Sequence, residues 1–290
     1  MGIIYTFGIR LYSLAITLAA IFGKGKAQLW RSGRKDWKRQ LADLPKDGNT
    51  IWFHVASLGE FEQARPLIEK IKANSPSQFI LLSFFSPSGY EIQKNYSHAD
   101  FVCYLPADTP ANARAFVDLV KPKTAVFVKS DFWFNHLNQL KINSIQTLLV
   151  SGIFRKSQHF FKAYGAWFRK GLGAFTHFFV QNESSVELLQ EIGFSNVTLA
   201  GDTRFDRVHQ LSKKEFKDIR FESFTKGQQV LLVGSSWAED NEIALSLSKE
   251  NETLRVIIAP HEIDPIKIAT LRNRFSGACR LLSETTQNED

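Results

Sequence analysis

Six short polar turns follow apolar runs in this sequence, and their residue types suit a group transfer. They are Ser57-Leu58-Gly59-Glu60, Ser86-Pro87-Ser88-Gly89, Lys129-Ser130-Asp131, Gly201-Asp202-Thr203-Arg204, Gly234-Ser235-Ser236 and Pro260-His261-Glu262. Glu60 is the only titratable group of its turn. A carboxylate there can take a proton from an acceptor hydroxyl. Lys129, Arg204 and free backbone N–H groups can stabilise a departing phosphate. Each turn also has a plainer reading. An acid in a first helical turn is favoured by the helix dipole, and Ser86 and Ser88 can be caps. Lys129 and Arg204 can be solvated charges, and His261 a capping residue. Gly234-Ser235-Ser236 has the small residues that suit a phosphate, but it is short. The aromatic run DFWF (131–134) reads as core. The fingerprints GxGxxG, GxxxxGK[ST], HExxH and GxSxG are missing from the chain.

The elements that position these turns alternate along the chain. Apolar runs at 50–56, 79–85, 101–106, 124–129, 147–152, 177–182 and 197–201 read as strands. Segments of helical periodicity at 61–74, 110–121 and 184–193 lie among them. Continuous apolar strands alternating with helices predict an α/β fold with a parallel sheet covered on both faces. In such a sheet, ligands bind at the C-terminal strand edge, where all six turns fall. The charged stretch 208–228 reads as an interdomain connection. The rhythm then restarts with strands at 229–235, 255–260 and 280–283 and helices near 239–250 and 264–275. That is half of a doubly wound domain, so the second domain is expected to be incomplete. The expected division is therefore 1–40, 41–207, a linker at 208–228, and 229–290.

The chain has 290 residues, 44% hydrophobic and 22% charged, which is ordinary globular composition. Its net charge of +7 lies entirely in residues 1–40; the remainder holds 28 charges of each sign. A basic terminus on a neutral body argues against a broad nucleic-acid surface. GIIYTFGIRLYSLAITLAAIFG (2–23) is nearly long enough to cross a bilayer and carries one charge, Arg10. The cations that follow would stay on the cytoplasmic side and attract anionic lipid. Arg10 leaves both a spanning and an interfacial helix open. Cys103 and Cys279 form no CxxC pair, so neither a disulfide framework nor a structural zinc is expected, and a reducing compartment is the default.

WFHVASLGEFEQARPLI resembles the strand-turn-helix of the bacterial Kdo transferases, which attach 3-deoxy-D-manno-octulosonic acid to the lipid A precursor. SFFSPSGYE, YLPADTPANARAFVDLVKPK, DFWFNHL, GDTRFDRV, GSSWAEDNE and IIAPHEIDP are similar to further family segments in the same order. The resemblance implies a GT-B-type enzyme of two Rossmann-like domains, anchored by its N-terminus on the cytoplasmic face of the inner membrane. It implies an inverting transfer of Kdo from CMP-Kdo to lipid IVA, with no cofactor and no metal. Glu60 would be the general base. Lys129 and Arg204 match the family's transition-state stabilisers, and Asp131, which keeps an acid of the same segment, is a further catalytic candidate. Ser57, Gly59, Ser86, Ser88 and Gly89 would meet the acceptor. Gly234, Ser235, Ser236, Pro260 and His261 would meet the donor nucleotide.

The sequence also departs from the family pattern. Lys129 stands where the family often has an acid, Phe134 replaces a proline, and an arginine before His261 is missing. The matches stop before the family's Gly-Gly-rich and His-Asn-x-x-Glu-Pro segments, so a C-terminal truncation relative to the family is expected. Two other readings are a non-catalytic acceptor-binding remnant and a different GT-B enzyme, such as a lipid A disaccharide synthase. One tension also follows from the sequence. A helix N-terminus lowers the pKa of Glu60, whereas a base working near neutral pH gains from a raised one.

Overall fold

A computed structural model describes residues 2–285 except 24, 46–48, 214, 216, 252 and 276–278. The chain forms two compact units, Met1–Lys213 and Lys214–Asp290. The first begins with three helices, α1 (Gly2–Ile21), α2 (Gly25–Gly33) and α3 (Trp37–Gln40). Strands and helices then alternate as β1 (Thr50–Val55), α4 (Leu58–Asn74), β2 (Phe79–Phe84), α5 (Pro87–Gln93), β3 (Phe101–Tyr104), α6 (Pro110–Val120), β4 (Pro122–Val128), α7 (Phe134–Ile142) and β5 (Gln146–Gly152). The unit continues with α8 (Ala166–Leu172), β6 (His177–Val180), α9 (Glu183–Glu191), β7 (Val197–Leu199) and α10 (Arg204–Ser212).

All seven strands pair in parallel, in the order β3-β2-β1-β4-β5-β6-β7. Apolar side chains on both strand faces explain this. Along β1, Trp52 enters one core with Phe116, Phe127 and Phe178, while Phe53 and Val55 enter the other with Phe61, Ile80 and Phe84. Strand order reverses between β1 and β4, which makes their C-terminal ends the topological switch point of the sheet. The helices that follow them, α4 and α7, start there. The short helix α2 closes over β3 at Gly33, where an added Cβ would lie 2.1 Å from the Tyr104 ring.

The second unit contains α11 (Ile219–Thr225), β8 (Val230–Ser236), α12 (Ala238–Glu250), β9 (Arg255–Pro260) and α13 (Pro265–Arg272). Strands β8 and β9 pair in parallel. The strand expected at 280–283 does not form among the described residues; Leu282–Glu284 is a 3-10 turn instead. Local bonds take the groups a ladder would use. The Leu282 carbonyl accepts from Arg220, the Leu281 carbonyl accepts from Thr285, and Glu284 pairs with Arg272. The expected connection 208–228 carries the end of α10 and the whole of α11, and α10 packs on α4 within the first unit.

Candidate active site

The switch point brings three of the expected residues together. α4 starts at Leu58, one residue after the extended Ser57, so Glu60 lies in the first turn. Ser57 and Glu60 have the spacing of a capping box, but they use it differently. The Ser57 hydroxyl donates to Glu60 Oε2. From the end of β4, Lys129 Nζ donates to Glu60 Oε1 at 3.0 Å. The Glu60 side chain is 13% exposed and that of Lys129 38%. Burial alone would raise the Glu60 pKa. The Ser57 hydroxyl, the Lys129 ammonium and Glu60's own backbone N–H outweigh it and hold the carboxyl below the usual range.

Lys129 is held in a left-handed conformation, φ 67°, which costs a non-glycine residue roughly 1–2 kcal/mol. Its surroundings impose this. Its backbone N–H donates to the Val150 carbonyl at 2.9 Å. Two residues on, Asp131 Oδ2 lies 2.9 Å from His54 Nε2 and 3.0 Å from Trp133 Nε1. His54 is fully buried in β1, and its Nδ1 lies 2.9 Å from Ser83 Oγ, which accepts from Trp52 Nε1 at 2.7 Å. Trp133 Nε1 also lies 2.9 Å from His54 Nε2, so Asp131, His54 and Trp133 meet in one polar cluster behind the turn. Asp131 therefore anchors the turn that presents Lys129.

The other expected residues have distinct surroundings. The Ser86 turn is tied to the Ser57 turn, with Ser86 N donating to the Ala56 carbonyl at 2.8 Å. Ser86 caps α5 by accepting from Ser88 N, and the two hydroxyls lie 2.7 Å apart. Gly89 permits this close approach, since a Cβ would lie 2.7 Å from the Phe84 ring and 3.0 Å from Leu58 N. A Cβ on Gly59 would meet only Ser57 Oγ, at 3.7 Å, so space beside Glu60 is open. Arg204 is engaged by Asp202, with Nε 2.9 Å from Oδ2, and 58% of its side chain is exposed. Asp202 also accepts from Gln63 Nε2 at 3.0 Å. Burial would raise the Asp202 pKa, but Arg204 and Gln63 lower it.

In the second unit, β8 runs through Gly234 and Ser236, and the pairing breaks register between them at Ser235, φ 54°. Ser236 Oγ is buried with no partner among the described residues. His261 N donates to the Ser236 carbonyl at 3.0 Å, and the His261 ring stacks on Trp237 at 4.4 Å. Asp240 takes the Trp237 N–H at 2.8 Å, leaving one fewer donor at the α12 N-terminus for an anion. Pro260 ends β9 opposite Ser236.

Sequence reasoning missed His54, Ser83 and Gln63. The signal for His54 was a lone histidine in an otherwise apolar strand. Ser83 is likewise a single hydroxyl inside FILLSFF. Gln63 gave no signal beyond lying one turn after Glu60.

Residues 33–207 match the family model described as 3-Deoxy-D-manno-octulosonic-acid transferase (kdotransferase). The chain belongs to the Kdo transferase family. It is 28% identical over 233 residues to the 3-deoxy-D-manno-octulosonic acid transferase of Aquifex aeolicus, covering 78% of this chain and 59% of that protein. It is 27% identical over 265 residues to a bifunctional glycosyltransferase/methyltransferase of Fusobacterium nucleatum, covering 88% of this chain and 40% of that protein. The chain thus spans about half the length of the curated relatives it matches. Among solved structures, UDP-GlcNAc 2-epimerase from Neisseria meningitidis bound to UDP-GlcNAc is similar, with TM-score 0.56 and 14% identity, covering 78% of this chain and 69% of that one. That likeness concerns the fold, which is α/β of GT-B type. The Kdo transferase match covers the sheet edge that carries Glu60 and Lys129 and ends at Arg207, the fourth residue of α10.

Proposed function

We propose that this chain carries the acceptor-activating machinery of a Kdo transferase in lipopolysaccharide biosynthesis, with CMP-Kdo as donor and lipid IVA as acceptor. The observation that carries this reading is the meeting of Glu60 and Lys129 at the switch point. A new C–O bond forms between an acceptor hydroxyl oxygen and the anomeric carbon of Kdo. The bond from that carbon to the CMP phosphate oxygen breaks, and CMP leaves with the electron pair, inverting the centre. The hydroxyl proton goes to Glu60.

A carboxylate has about four acceptor positions. Ser57, Lys129 and the Glu60 amide occupy some of them, and the open side at Gly59 gives a hydroxyl access to the remainder. The lowered pKa puts Glu60 on the ionised, weakly basic side of the tension seen in the sequence. Glu60 stays ionised at neutral pH, ready to accept. It takes the proton as bond formation makes the acceptor oxygen acidic. Arg204 can serve the leaving group after exchanging Asp202 for phosphate, a charge-assisted contact of the same kind. In the second unit, Gly234, Ser235, Ser236, Pro260 and His261 would hold the nucleotide, with the unpartnered Ser236 hydroxyl as one donor. The protein would act at the cytoplasmic face of the inner membrane, held by α1 and the basic residues after it.

Glu60→Gln keeps shape and removes the base. Kdo transfer, followed by mass spectrometry of the lipid product, should fall about 10²–10⁴-fold; an unchanged rate would refute the base assignment. The donor class is tested separately by competition. CMP and not UDP should block CMP-Kdo binding, and the reverse preference would favour a UDP-sugar enzyme.

A further inference from the structure

We infer that α1 does not cross the bilayer but lies in its plane, as a docked part of the first unit. This rests on the membrane attachment proposed above and specifies its form. Length does not decide the matter, because 20 helical residues span about 30 Å, enough for either arrangement. The surroundings of the helix decide it.

At 3.6 residues per turn, Tyr5, Ile9, Ser13, Ile16, Thr17 and Ala20 fall on one arc about 120° wide, and all are buried or half-buried. Ile3, Phe7, Leu11, Leu14, Leu18 and Ile21 fall on the opposite arc and are 88%, 66%, 57%, 55%, 48% and 63% exposed. The inner arc is fastened by more than apolar contact. Tyr5 OH donates to Asp108 Oδ2 at 2.6 Å. Asp108 is fully buried and also accepts from the backbone N–H groups of Asn135 and His136, at 3.0 and 2.9 Å, and faces His136 Nδ1. Burial would raise the Asp108 pKa, but these bonds hold it low. Removing Tyr5 would leave a buried carboxylate one donor short, which is costly. The Tyr5 ring packs on Phe134 at 5.3 Å and Trp167 at 5.6 Å, and Tyr12 stacks on Phe85 at 6.3 Å.

A spanning helix needs lipid or other spanning segments around its whole circumference. Here one arc is sealed by a polar hub of a globular domain. The opposite arc is apolar, and the exposed cations Lys26, Arg31, Lys35, Lys38 and Arg39 follow on α2 and nearby. That combination fits the headgroup boundary of an anionic bilayer. Phe85, Asp108 and Phe134 all lie beyond the C-terminal ends of strands. The docked helix therefore sits at the same sheet edge as Glu60, where a lipid-linked acceptor would arrive laterally.

The test uses the full chain with Cys279→Ser; Cys103 is buried. Single substitutions Ile3→Cys, Leu11→Cys and Ile21→Cys, all at exposed sites, carry a fluorophore. The protein binds phosphatidylethanolamine–phosphatidylglycerol vesicles whose acyl chains are brominated at a shallow or a deep carbon. The in-plane helix predicts the same preference for shallow over deep quenching at all three sites. Deep quenching at Leu11 between shallow Ile3 and Ile21 would overturn the inference while leaving attachment intact. No partition into the vesicles would overturn the attachment itself.

Discussion

The C-terminal edges of the two units carry similar turns but hold them differently. In the first, Glu60 is gripped by Ser57 and Lys129, and Lys129 is presented by a turn pinned through Asp131 and His54. In the second, Ser236 Oγ has no partner among the described residues, and β8 and β9 form a two-stranded sheet. The contrast follows from coverage. Seven parallel strands between two apolar layers fix a strand end from several sides. A two-stranded sheet leaves Leu232 68% exposed and Ile243 61% exposed. Precise placement of a reactive group is thus a property of the sheet behind it, more than of the turn sequence.

Substitutions can break or sharpen that contrast. Phe127 is fully buried in β4, behind the Lys129 turn. Phe127→Ala should destabilise the first unit by about 3–5 kcal/mol, read as a shift of its urea midpoint. His54→Leu retains volume but strips Ser83 and Asp131 of a partner. It should cost about 1–3 kcal/mol and loosen the Lys129 turn, seen as faster amide exchange at 129–133. Leu232→Ala in the second unit should stay within about 0.5 kcal/mol. If it cost as much as Phe127→Ala, the second sheet would be covered in solution and the contrast would fail.

The sequence made the seven strands of the first sheet legible because each is a continuous apolar run between turn residues. It also marked Glu60, Ser57 and Lys129 as residues at strand ends. It could not show that Lys129 reaches Glu60, because that contact spans 69 positions and depends on β1 and β4 being neighbours. The surroundings of Asp131 were hidden for a related reason. Its partner His54 lies 77 positions away, and acid and histidine do not signal each other in a linear reading. RLLS (280–283) had the pattern of a strand, but side-chain bonds from Arg220 and Thr285 drew its carbonyls into a turn. The apolar N-terminus gave length and charge. The arc that docks on Asp108 became visible only with Tyr5 in place.

The lowered pKa of Glu60 has a signed consequence. Its pairing with Lys129 and Ser57 contributes stability at pH values above the ordinary carboxylate range. That contribution is lost as pH falls through the depressed folded value.

The central claim is that Glu60 is held ionised at the switch point by its neighbours, and a direct titration tests it. Carbon-13 NMR of the glutamate carboxyls in the full chain, with Glu60→Gln assigning the signal, gives the Glu60 pKa. It should lie below the ordinary glutamate range and move upward in Lys129→Met. A Glu60 that titrates at or above the ordinary value, with no response to Lys129→Met, would contradict the account.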